Sequence, residues 1–120
     1  MNKLKGLSIL NNILNNISID NQTVKNAIWM LEHLEENNQP DSISIDEKNN
    51  IKFTFIHNES KITEEIDIDR REVCYSYLPD NQVPYFKRYF ILPNGGIGDK
   101  EIFMLNKEME YLRKPEVIQC

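Results

Sequence analysis

Apolar and polar positions alternate through the middle of the chain. Ile51, Phe53 and Phe55 form one run, Ile62, Ile66 and Ile68 a second, and Val73, Tyr75 and Tyr77 a third. Polar residues hold the other parity, which is the period of a half-buried strand. A shorter run sets Ile43 and Ile45 against serines and Asp46. These patterns predict strands over 42–46, 51–56, 61–69 and 72–78. Asn49-Asn50, His57 to Ser60 and Asp69 to Arg71 supply the turns between them. Pro79-Asp80-Asn81 ends the fourth strand. A fifth strand over 85–92 is apolar on both parities, with Tyr85, Tyr89 and Ile91 on one side and Phe86, Phe90 and Leu92 on the other. Such a strand is expected to be covered on both faces, by its own chain or by a second copy.

The flanks change period. Leu4, Leu7, Leu10, Ile13, Leu14 and Ile17 recur at steps of three and four, predicting a helix over 3–16 whose first turn Gly6 weakens. Asp20 or Asn21 can cap a second helix over 22–36, striped by Val24, Ala27, Ile28, Leu31 and Leu34. Trp29 and Met30 lie off that stripe, so they either widen it or touch a second layer. Asn37, Asn38 and Pro40 end the helix. After the loop Pro93-Asn94-Gly95-Gly96-Ile97-Gly98, Asp99 can cap a last helix over 100–113, which Lys114-Pro115 stops. The expected fold is one α+β domain of two layers. Two N-terminal helices and one C-terminal helix cover the apolar face of an antiparallel meander of about five strands.

Composition narrows what such a domain does. The chain has 120 residues, 14 Lys and Arg against 19 Asp and Glu, and a net charge of −5. A whole-domain basic field is absent, which disfavours a general duplex-DNA binder, and the acidic balance favours a partner with a basic surface. Cys74 and Cys120 make no disulfide framework and match no zinc spacing. No apolar run reaches membrane-spanning length, and Asn11 and Asn12 interrupt any signal-peptide core, so the expected location is cytoplasmic. Asparagine is frequent, and several of these residues fall where helix faces or turns are expected to be wet.

One run carries a resemblance. Ala27, Leu31, Leu34, Pro40, Ile43, Ile45, Asn50, Ile51, Phe53 and Phe55 follow an order of helix, proline, Ile/Val strand, turn and strand. That order resembles a loose set of small uncharacterised bacterial proteins over roughly residues 24–78. The set usually has glycine where Asn50 stands and tryptophan where Phe55 stands, and often an upstream Trp-Asp-Gly that is missing here. The resemblance implies a small α+β domain and no mechanism.

Candidate chemistry is sparse. Glu65, Asp67 and Asp69 fall on one face of the third strand, with Glu72 flanking. Alternate residues lie about 6.6–6.8 Å apart on a strand, too wide for a one-ion cage, so no metal is expected and the ordinary reading is a wet outer face. The functional reading is an acidic stripe that docks on a basic surface. A second group mixes cations and aromatics: Arg70, Arg71, Lys87, Arg88, Tyr75, Tyr77, Tyr85 and Tyr89. Such a group on a sheet suits single-stranded nucleic acid, although Tyr75 and Tyr77 share the core parity of Val73. The glycine loop lacks the Gly-Lys-Ser/Thr ending of a phosphate cradle, and Asp99 and Glu101 place negative charge where the anion would sit. His33, His57, Cys74, Ser60 and Ser76 lack partners at motif spacing, so no cofactor is expected and nothing local asks for an enzyme. A third reading is a catalytic site assembled across the fold, gathering His33 or His57 with carboxylates.

The expected function is therefore that of a small acidic protein which occupies a macromolecular partner, in the manner of an immunity, antitoxin-like or anti-defence inhibitor. Glu65, Asp67, Asp69 and Glu72 would steer and rim the contact, and Tyr85 or Phe86 would anchor it. The alternative is a single-stranded nucleic-acid module built on Arg70, Arg71, Lys87, Arg88 and Tyr89. The doubly apolar fifth strand adds the expectation of a homodimer.

Overall fold

A computed structural model describes residues 4–93 and 95–113. Lys3, Asn94, the Lys114-Pro115 stop and Cys120 lie outside those residues. Helix α1 spans Leu4–Leu14 and α2 spans Asn21–His33. Strands β1 Ser42–Ile45, β2 Ile51–His57, β3 Ile62–Ile68, β4 Glu72–Pro79 and β5 Tyr85–Phe90 follow, and α3 Asp99–Leu112 comes last. The five strands form one sheet in the order β1-β2-β3-β4-β5, every neighbour antiparallel. This is the α+β meander that the alternations predict.

The turns explain why a meander forms. Asp46 Oδ1 accepts from the amides of Lys48 and Asn50 at 2.8 and 2.9 Å, and Asn49 takes a φ of 64°. Asp69 Oδ1 accepts from the amides of Arg71 and Glu72 at 2.7 and 2.8 Å. Lys61 and Asn81 complete the other two turns at positive φ. Each hairpin is closed locally, so each strand pairs with the next.

All the deeply buried strand positions share one parity. Ile43, Ile51, Phe53, Phe55, Ile66, Ile68, Val73 and Tyr75 pack with Leu10, Met30, Leu31, Leu34, Leu105 and Met109 in a single core. The helices therefore lie on one face of the sheet. Gly6 stands in α1 because a Cβ there would collide with Leu31 and Gln39, so its low helix propensity buys close approach. Met30 belongs to the core and is fully buried. Trp29 instead lies against the backbone of Gly96, at φ 79°, and stacks on His33 with ring centroids 3.9 Å apart.

Some boundaries differ from the expected ones. Helix α2 stops at His33, not at residue 36, because Gln39 reaches back and donates to the carbonyls of Leu31 and Leu34 at 3.0 Å each. A 3-10 turn follows over Glu36–Asn38. Asp20 is the cap of α2, accepting from Thr23 N at 3.1 Å, and that amide lowers its carboxyl below the usual range. Gly98 holds the N-cap position of α3, so Asp99 is its first helical residue. Strand β3 ends at Ile68, and Asp69 belongs to the turn.

Candidate functional site

Helices cover one face of the sheet and leave the other open. Cross-strand register arranges that open face in rows. One row runs Ser44, Lys52, Asp67, Cys74, Arg88. The next runs Ser42, Thr54, Glu65, Ser76, Phe86. Glu72 and Phe90 stand opposite one another at the end of β4 and β5. Phe86 is 61% exposed and Phe90 71%, both on the edge strand, and Ile56 of β2 is 51% exposed on the same face.

The charges on this face are mostly paired. Lys52 Nζ lies 3.7 Å from Glu65 Oε1, and Arg88 Nε lies 3.4 Å from Glu72 Oε1. Asp67 is the exception. Its Oδ1 is buried and has no hydrogen-bond partner among the described residues. Burial raises its carboxyl above the usual range, and the nearby Lys52 ammonium opposes the shift. Burial likewise pushes the Cys74 thiol up, against the pull of Arg88, so Cys74 is a thiol and not an activated thiolate.

The residues singled out in the sequence are distributed unevenly. Glu65, Asp67 and Glu72 share the open face. Asp69 does not join them, since its carboxylate closes the β3–β4 turn. Phe86 and Tyr85 are separated by strand parity. Phe86 faces outward, while Tyr85 turns under α3 and donates to Glu108 at 2.7 Å. The basic-aromatic group is also divided. Arg70 and Arg71 lie in the turn, Arg88 on the open face, and Lys87 on the helix side, 5.4 Å above the Tyr89 ring. Tyr89 itself is buried.

The covered face holds a polar cluster that hydrophobic spacing did not reveal. Glu64 sits at the core parity of β3 between Ile62 and Ile66 and is fully buried. Its Oε1 accepts from His57 Nε2 at 2.8 Å and from Arg113 Nε at 2.7 Å. Its Oε2 accepts from the Tyr75 hydroxyl at 2.5 Å. The Arg113 guanidinium also donates to Asn38 Oδ1 at 2.5 Å, and Asn38 donates to Asn106 Oδ1 at 2.8 Å. His57 is thus no isolated turn histidine. Register brings Glu64 beside it from the next strand. The break in the Ile62–Ile66 alternation was the available signal, since a glutamate at a core position requires partners.

The cluster has the character of a joint more than of an active site. It ties the end of α3 to the sheet and to the segment after α2. The carboxylate it centres on is closed to solvent and takes up donors from His57, Tyr75 and Arg113. A groove at the surface end of His57 is lined by Ile56, Lys61, Thr63 and Asp80. Glu64 does not line it. Among the described residues no three His, Cys, Asp or Glu side chains converge where they could hold a metal ion, and no helix is long and apolar enough to cross a membrane.

Comparison with known proteins finds no matching family, no matching curated protein and no matching solved structure.

Proposed function

We infer that this protein acts by binding, and that it docks the open face of its sheet on a protein partner with a basic surface. The reading is of an inhibitor-type protein, the class that includes immunity, antitoxin-like and anti-defence proteins. The observation that carries it is Asp67. A half-buried carboxylate with one oxygen buried and unpartnered, in the middle of a helix-free face, is costly for the isolated chain, and a partner's cation set against its accessible side would offset that cost. Glu65 and Glu72 flank it and give the contact its rim. Phe86 supplies the anchor, as the exposed aromatic in the row of Glu65. Tyr85 stays under α3 and Asp69 in its turn, so neither is part of this contact.

The test uses the tagged full chain as bait in lysate of its own host, followed by titration of the purified partner. The expected result is one stoichiometric protein whose affinity falls at least tenfold, and whose salt dependence flattens, in Glu65→Lys with Asp67→Lys. A partner bound equally well by that variant overturns the reading. Nucleic acid that co-purifies and elutes with salt would change the class of partner and move the contact to the Arg88, Phe86 and Phe90 side of the same face.

A further inference from the structure

The two edges of the sheet are finished differently. Strand β1 has four residues, two of them serine, and α1 packs against it, which is a guarded edge. Strand β5 has six residues, of which four are exposed. Ile91 N donates to Arg71 O of the β4 side at 2.8 Å. Backbone polar groups alternate sides along a strand, so those of Tyr85, Lys87 and Tyr89 face β4. Those of Phe86, Arg88 and Phe90 point away from the sheet, and no described residue pairs with them. Apolar surface flanks this edge on both sides. Phe86 and Phe90 border it on the open face, and Met104 and Tyr111 of α3 line a groove beside Lys87 on the helix face.

We propose that β5 pairs antiparallel with β5 of a second copy, with Arg88 on the two-fold axis, so that two five-stranded sheets join into one. The register follows from the residues. A two-fold normal to the sheet keeps both helix layers on one side and pairs positions of equal parity. Centring it on Arg88 uses the outward groups of Phe86, Arg88 and Phe90 in hydrogen-bonded pairs. It sets Phe86 opposite Phe90 of the second copy on the open face, twice. It also sets Lys87 opposite Tyr89, extending the cation–ring contact already made within the chain. Centring on Lys87 would instead place Phe90 opposite Pro84, which has no amide to donate. Two arginines meet at the axis, but each carries Glu72 at 3.4 Å, so the seam holds two guanidinium–carboxylate pairs and not two bare cations. The second copy is therefore the occupant this edge is complementary to. This inference goes beyond the partner-binding reading and does not depend on it.

The experiment is the mass of the full chain alone, by sedimentation velocity across low to high micromolar concentration. The expected species has twice the 14.2 kDa chain mass. Arg88→Pro removes an amide that faces outward and leaves the β4 ladder whole, a change that edge strands tolerate. It is expected to give a monomer with unchanged far-UV circular dichroism. Phe90→Lys alters a side chain that is 71% exposed and is expected to weaken the dimer at least tenfold, which decides the matter if the proline variant does not fold. In a background free of Cys74 and Cys120, Arg88→Cys is expected to cross-link on oxidation and Phe90→Cys is not, because only position 88 meets itself across the axis. A wild-type monomer at every concentration overturns the proposal. So does a dimer that survives both edge variants, or one that cross-links through position 90 and not 88.

Discussion

Glu64 and Glu65 are consecutive residues of β3, and parity sends them to opposite faces. Glu64 is fully buried and accepts from His57, Tyr75 and Arg113, all within 2.8 Å. Glu65 is half-exposed and has Lys52 at 3.7 Å. The same side chain is thus a structural hub on one face and a loosely tethered surface charge on the other. Ion pairs in water contribute little, because solvent screens them and side-chain entropy opposes them. A buried charged group must be matched or the fold loses the full cost of its desolvation. One face of this sheet therefore commits its polar atoms to holding the fold, and the other leaves its own available.

The widest separation between the two faces is expected from Glu64→Ala. That variant strips Arg113 and the Tyr75 hydroxyl of their buried acceptor. It is expected to lower the unfolding free energy by about 3–5 kcal/mol, against less than about 1 kcal/mol for Glu65→Ala. Urea melts of the two variants beside the wild type measure both. Equal losses would mean that the hub is no more than another surface pair.

A smaller effect is expected from pH, again confined to the covered face. Burial and the Glu64 carboxylate drive the Tyr75 hydroxyl well above its ordinary value. Burial and Glu108 push Tyr85 up to about 12. The unfolded chain releases these protons near pH 10, so above that pH the folded state holds more protons than the unfolded one. The contribution of the tyrosines is then fully present below about pH 10 and is lost as pH rises through the folded values. Denaturant melts from neutral to strongly alkaline pH should show this decline, and Tyr75→Phe should make it shallower. Glu65→Gln, on the open face, should leave the slope as it is. A wild-type stability flat through this range would contradict the burial argument.

This contrast also marks what could be read from the residues alone. The strands, their order and the covered parity follow from local facts: alternation at period two, asparagine and aspartate at turns, and helical stripes at both ends. Those signals act over a few residues and survive in any context. The hub does not, because His57, Glu64, Tyr75 and Arg113, with Asn38 and Asn106 beyond them, meet only after the hairpins and α3 are in place. Asparagine shows the same limit. Asn26, Asn38 and Asn106 are buried and hydrogen-bonded across the fold, with Asn26 donating to Asp69 O at 2.9 Å, while Asn11 and Asn12 are exposed. Composition treats the two kinds alike. The fifth strand was legible as doubly apolar, but only the structure assigns Tyr85 and Tyr89 to the helix layer and leaves Phe86 and Phe90 uncovered.

The smallest expected effect has the opposite sign. Asp67 lies on the open face with one oxygen buried and unpartnered, and burial raises its carboxyl. A carboxyl raised in the fold destabilises the ionised protein above that raised value, and the penalty is relieved as pH falls toward the unfolded value. Asp67→Asn should therefore stabilise the chain at neutral pH. The gain is no more than about 1 kcal/mol, since the group is partly exposed and solvent screens it. It should shrink as pH is lowered into the carboxylate range, and thermal melts at neutral and acidic pH would show both the sign and the trend. Loss of stability at neutral pH would mean that Lys52 outweighs burial. A variant that folds more stably yet binds its partner less tightly would give the two faces separate roles. Glu64 would be kept for the fold, and Asp67 would be kept at the expense of the fold, as interaction sites commonly are.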